Sequence, residues 1–169
     1  TITGDNGTTT LEVAELVSFE QASIKPRNVQ VESRVWLRSG SELPAKKLSG
    51  RAATSDNPAI LLIRLPSGVE IEVPLSTVRA FRQGGLRRPQ PSLFLSDLET
   101  PPENNDLLYV VKNGSSQRSS VSVTSISGKL IDFELRDDVY EFDFSGVAAV
   151  VFGSNTGFPP DRQARPRAT

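Results

Sequence analysis

Histidine, cysteine and methionine are all missing from these 169 residues, and tryptophan occurs once, at Trp36. Without histidine, the commonest general base and the commonest zinc ligand are absent. Without cysteine there are no disulfides, thiolate nucleophiles or sulfur-bound metals, and the redox compartment stays undecided. Methionine is lacking even at position 1, so a fragment or processed product is expected, with any signal peptide upstream. No apolar run approaches the ~20 residues of a membrane span. Net charge is −1, which gives no general attraction to nucleic-acid backbones.

What the chain does contain is an echo. VPLSTVRAF (Val73 to Phe81) returns sixty-nine residues later as FDFSGVAAV (Phe142 to Val150), with serine in fourth place, valine in sixth and alanine in eighth. Upstream, VWLRSG (Val35 to Gly40) and LYVVKNG (Leu108 to Gly114) each place an aromatic residue in a β-prone run closed by glycine. Asn113-Gly114 has the signature of a type I′ hairpin turn, because both residues tolerate positive φ. From turn glycine to shared serine takes 36 residues in one copy and 31 in the other. The extra length is expected in Ser41 to Lys47, where Pro44 interrupts strand pairing.

Between these marks the period is two. Val69, Ile71, Val73 and Leu75 alternate with polar residues or proline, as do Ile131, Phe133 and Leu135, and then Tyr140, Phe142 and Phe144. Such alternation marks half-buried antiparallel strands. Ala59 to Leu65 is apolar almost throughout and reads as a strand buried on both faces. Ser76 and Ser145 each follow a strand and suit the N-cap of a short helical turn. Thr8 to Ala22 reads more readily as strand than as helix.

These elements predict an all-β protein with two related small SH3-like/Sm-like barrel units in tandem. The expected boundaries are an N-terminal segment, 1–30, that can add a strand to the first unit; the first unit, 31–83; a linker, 84–104; the second unit, 105–153; and a flexible tail, 154–169. Within the linker, Leu93 to Leu98 is an apolar island expected to dock on a neighbour.

Chemistry is harder to find. Serines are plentiful, but only lysine could activate them, at Lys47-Leu48-Ser49 or Ser127-Gly128-Lys129, and these read as solvated turns. Glu70 with Glu72, and Asp137 with Asp138, are paired carboxylates that read as solvent faces rather than glycosidase acids or calcium ligands. No phosphate-binding loop or dinucleotide fingerprint is present. Asn6-Gly7-Thr8 and Asn113-Gly114-Ser115 match the glycosylation triplet, but tight turns explain both. No enzyme activity, cofactor or metal is therefore expected, and no nucleic-acid partner or membrane span. The candidates for stacking a carbohydrate ligand are Trp36, Tyr109 and Tyr140, with packing in a core as the competing explanation of Trp36.

Charge divides unevenly between the two units. Residues 33–82 hold eight basic and four acidic side chains, and residues 106–153 hold four and seven. Opposite signs on one tether predict docking of the units, within one chain or head to tail between chains.

Two resemblances bear on the residues just described. Gly50 and Asp56 have the spacing of the first Sm-like motif, but position 60 is Ile60 where that family carries asparagine. The likeness implies a barrel and argues against RNA binding. Leu98 to Gly153, with its DLLYVVK opening and FDFSGVAAVVFG close, resembles β-rich tandem repeats of planctomycete secreted proteins that often precede a carbohydrate-binding module. FLSDLE (Phe94 to Glu99) also resembles a phrase of those repeats. That resemblance implies an extracytoplasmic (periplasmic or secreted) bacterial protein and a non-catalytic accessory region. The expected role is a non-enzymatic scaffold or protein-interaction module, capable of self-association; the alternative is a carbohydrate-binding accessory module.

Overall fold

The computed structural model describes residues 2–4, 7–9, 33–84, 89 and 91–155. Most of Thr8 to Ala22 and of the tail 154–169 therefore lies outside the described residues, as does Asn6. The chain folds as an all-β protein. β1 (Ile2–Gly4) and β2 (Gly7–Thr9) form a short hairpin. β3 (Ser33–Leu37), β4 (Glu42–Ala45), β5 (Lys47–Arg51), β6 (Ile60–Arg64) and β7 (Glu70–Pro74) follow, then a 3-10 turn at Leu75–Thr77 and β8 (Val78–Arg82). Helix α1 (Pro91–Glu99) comes next. β9 (Asp106–Lys112), β10 (Ser115–Ser127), β11 (Leu130–Leu135) and β12 (Asp138–Asp143) lead to a second 3-10 turn at Phe144–Gly146 and to β13 (Val147–Val151).

The strands form two open sheets, one ordered β2-β1-β7-β6-β5 and the other β12-β11-β10-β9-β13-β8-β3-β4. At the middle of the larger sheet the two closing strands, β8 and β13, pair antiparallel. Arg82 faces Ala149, Phe81 faces Val150 and Ala80 faces Val151. Because Ala80 and Ala149 are the same distance apart in sequence as Arg82 and Val151, this register reads alike from either half. The hydrogen bonds beyond it do too: the Gln83 amide donates to the Ala148 carbonyl and the Phe152 amide to the Arg79 carbonyl, both at 2.9 Å. The nine-residue echo thus ends in a strand that meets its own counterpart.

One apolar core runs through both halves, with Val35, Leu61, Ile63, Val73 and Phe81 from the first and Leu108, Val123, Ile126, Val147 and Val150 from the second. Phe81 stands 5.5 Å from Phe144 and 6.2 Å from Phe152, ring centre to ring centre. Alternation works as expected in β7, where Ile71 and Val73 are buried between Glu70 and Glu72. β6, between β5 and β7, buries Ile60, Leu61 and Ile63, and Ala59 is buried directly before it, which accounts for the nearly unbroken apolar run. Asn113 and Gly114 take φ of 52° and 72°, the paired positive values of the expected tight turn.

Several expectations need correction. Ser76 and Ser145 lie inside the 3-10 turns and are exposed; the N-caps are Pro74 and Asp143. Asp143 accepts from the Ser145 amide at 2.8 Å, and hydrogen bonding from the Ser145 side chain and amide holds its carboxyl below the usual range. The added length of the first half is not in Ser41 to Lys47, which mostly forms β4 and the start of β5. It sits between β5 and β6, where residues 52–59 stand against two residues, 128–129, in the second half. Pro44 does not interrupt pairing: it faces Arg34 from an edge strand, where a missing N–H costs no ladder bond on the open side. β12 is not the half-buried strand its alternation predicts, since Val139 and Tyr140 are both exposed at the sheet's end.

The segment 84–104, expected as a linker, contains α1. Pro91 opens it at the position where a missing N–H is harmless, and Phe94, Asp97 and Leu98 share one face at helical spacing. That face lies on the outer side of the large sheet, over Ala80, Leu107, Tyr109, Ala148, Ala149 and Val151. The repeated alanine in eighth place, Ala80 and Ala149, is small because a helix covers it.

Candidate functional site

The three stacking candidates are not in one row. Trp36 on β3 is half-buried against Phe94 of α1, with ring centres 5.4 Å apart. Its indole N–H donates to Glu42 at 3.1 Å, and the Arg82 guanidinium lies 5.9 Å from the ring centre. Tyr109 on β9 is 2% exposed, and its ring lies 5.8 Å from that of Phe94 at 70°, an edge arrangement. The structure therefore brings Trp36 and Tyr109 together around Phe94, in packing roles. Tyr109 has no face left for a ligand.

Beneath α1 the buried Asp97 accepts from the Tyr109 hydroxyl and from Arg118 at 2.8 Å. Burial first, and then the hydrogen bond and charge of Asp97, raise the Tyr109 phenol well above its ordinary range. The phenol is thus held as a donor to a carboxylate. Arg79 on β8 donates to the last carbonyls of α1, Leu98 and Glu99, where a cation also opposes the negative end of the helix. These polar bonds fix the helix; none is aimed at open space.

Tyr140 is different. It lies on β12, at the far end of the sheet from Trp36, with five strands between them. It is 44% exposed and stacks nearly parallel on Phe133, with ring centres 5.7 Å apart and 19° between planes. Tyr140 borders a concave surface of about 740 Å³. Ser119, Ser120 and Ser122 of β10 line one wall, and Glu134 with the Arg136-Asp137 turn lines the other. Hydroxyls, carboxylates, one guanidinium and an aromatic face suit a polar, hydroxylated ligand or a strand of peptide. Asp137 and Asp138 both stand at this groove, while Glu70 and Glu72 lie on β7 elsewhere, with Glu72 paired to Arg51 at 2.5 Å. Among the described residues, no group of three or more His, Cys, Asp or Glu could hold a metal ion, and no helix is long and apolar enough to cross a membrane.

Sequence reasoning missed the buried polar residues that define the halves. Asp106 is 1% exposed and accepts from the Val123 amide at 2.8 Å and the Gly153 amide at 3.0 Å. In the first half Ser33 is buried at the start of β3 and accepts from the Gly84 amide at 2.9 Å. Val35 faces Phe81 and Leu108 faces Val150, so Ser33 and Asp106 hold matching places, as do Gly84 and Gly153. One clue was in view: an acidic residue directly before the apolar run Leu107 to Val111. Across the halves, Arg38 donates to the Gly153 carbonyl at 2.9 Å and Gln83 to that of Phe144 at 2.6 Å.

Compared with protein families, curated proteins and solved structures, the chain matches none.

Proposed function

We propose that this chain is a non-enzymatic scaffold and protein-interaction module of an extracytoplasmic bacterial protein, built from two related SH3-like/Sm-like barrel units. The observation that carries the reading is the β8–β13 pairing, which joins the halves in a register that reads alike from each. Matching features support two copies of one unit: the 3-10 turn before each closing strand, the Ser33 and Asp106 clamps, and the shared positions of Gly84 and Gly153. A core shared by both halves and the Arg38 and Gln83 cross-links make the whole suited to holding surfaces at fixed spacing rather than to opening and closing. The serines at the groove have no histidine in the chain to activate them. The extracytoplasmic setting rests on the resemblance to secreted tandem repeats.

The test is a screen of the purified chain with chromogenic esters, glycosides, phosphates and peptides. The reading expects no turnover above the blank. Turnover that disappears in Glu134→Gln would replace it with an enzyme.

A second reading, a carbohydrate-binding accessory module, is favoured by one observation: exposed Tyr140 beside a groove of hydroxyls and carboxylates. Soluble polysaccharides titrated calorimetrically against the chain and its Tyr140→Ala variant decide it. Heat lost in the variant supports the reading, and no heat from either protein removes it.

A further inference from the structure

The two halves differ at one edge. β7 is covered on its outer side by β1, with Ile2 facing Ile71 and Thr3 facing Glu70. The strand in the matching place is β12, whose Val139 and Tyr140 correspond to Glu70 and Ile71: Arg64 faces Glu70 as Glu134 faces Val139, and Ile63 faces Ile71 as Phe133 faces Tyr140. Among the described residues, β12 ends its sheet and pairs only with β11. The two residues at the uncovered position are both exposed, Val139 at 65% and Tyr140 at 44%, and Val139 is the most exposed large apolar residue among the described residues. The same position in the other half accepts a strand, and there Ile71 is 5% exposed.

We infer that β12 is a strand-accepting edge, filled by β2 of a second copy of this chain in head-to-tail assembly. The occupant follows from the remaining sheet ends. β4 carries Pro44, which cannot donate. β5 meets the second half through the Gly50–Gly128 bridge. Pairing β12 with β12 of another copy would set Asp138, Glu141 and Asp143 against their own charges. β2, Gly-Thr-Thr, is uncharged, ends the smaller sheet among the described residues and belongs to the sheet of the basic half. Acidic edge and basic half attract, and a head-to-tail joint that does not close makes chains. The inference deepens the interaction-module reading and rests on it. A monomer would remove the assembly and leave that reading standing, whereas turnover in the substrate screen would remove the reading itself.

The Arg136-Asp137 turn, with φ of 54° and 68°, makes Leu135 and Asp138 the hydrogen-bonded pair. Val139, next along, therefore turns its N–H outward. Sedimentation velocity of the full chain over a hundredfold concentration range is the test, in low and high salt. The expected result is a weight-average mass that at least doubles with concentration and falls back in high salt. Val139→Pro removes the outward N–H, and Val139→Lys serves if the proline variant loses its circular dichroism. Either should return the single-chain mass, as should deletion of residues 1–9. A wild-type monomer at every concentration overturns the proposal, and so does growth that survives the Val139 variants. Growth stopped by Val139→Lys but not by the deletion overturns β2 as the occupant.

Discussion

At the scale of the residue, the decisive groups are polar ones in apolar places. Tyr109 and Asp97 share a hydrogen bond under α1, with Arg118 on the second carboxylate oxygen. Replacing Tyr109 with phenylalanine keeps the ring against Phe94 but withdraws a donor from a buried carboxylate, at a cost of about 1–3 kcal/mol. The raised phenol also gives a pH signature. Folding holds Tyr109 protonated, so its contribution is complete below the unfolded value of about 10 and is lost as pH climbs above it. Urea unfolding between pH 8 and 11 should show wild type losing its advantage over Tyr109→Phe as pH passes 10. A constant gap would contradict a phenol raised by burial and by Asp97. None of this was legible from Tyr109 alone, because its partners Asp97 and Arg118 come from a helix and a strand that meet only in the fold.

At the scale of the element, small residues mark close approach. Gly50 on β5 and Ile126 on β10 hold matching places, since Gly50 faces Leu61 where Ile126 faces Ile131, one step in from the pairs made by Ile60 and Leu130. The two residues also touch. A Cβ on Gly50 would lie 2.3 Å from the Ile126 methyl and 2.5 Å from its carbonyl oxygen. The backbone there cannot step aside cheaply, so Gly50→Ala should destabilise by about 1–3 kcal/mol. Equilibrium urea melts measure this, and a change below about 0.5 kcal/mol would mean the halves do not meet here. From the sequence this glycine looked like part of an Sm-like motif; its job is to receive an isoleucine from the other half. Strand positions and the Asn113-Gly114 turn were legible because alternation and turn chemistry are local. Helix α1 was not, because prolines and glycines around a short apolar island look like linker until a sheet face supplies the other half of its packing. Nor was the exposure of Tyr140, since alternation cannot tell an edge strand from a covered one.

At the scale of the whole molecule, the question is whether the repeated halves behave as one body. One sheet of eight strands takes three from the first half and five from the second, joined at β8–β13, and a shared apolar core lies against it. A fifty-residue β unit alone buries too little surface for comfortable stability, so each half leans on its counterpart. The repeat in the sequence disclosed two related endings; it did not disclose that those endings would pair with each other, because pairing between like strands leaves no pattern within either one.

The most direct measurement uses the single tryptophan as a reporter of the first half and a perturbation placed in the second. Asp106→Asn keeps the shape of a buried acceptor but turns an amide N–H2 toward one of the two backbone donors it now receives, Val123 or Gly153. The cost is about 2–3 kcal/mol. Urea unfolding is followed by Trp36 fluorescence and by far-ultraviolet circular dichroism in both proteins. If the β8–β13 joint makes one cooperative unit, both signals coincide and the Trp36 midpoint falls with the variant as far as the dichroism does. A Trp36 transition that stays at its wild-type midpoint while the dichroism splits in two would contradict the account.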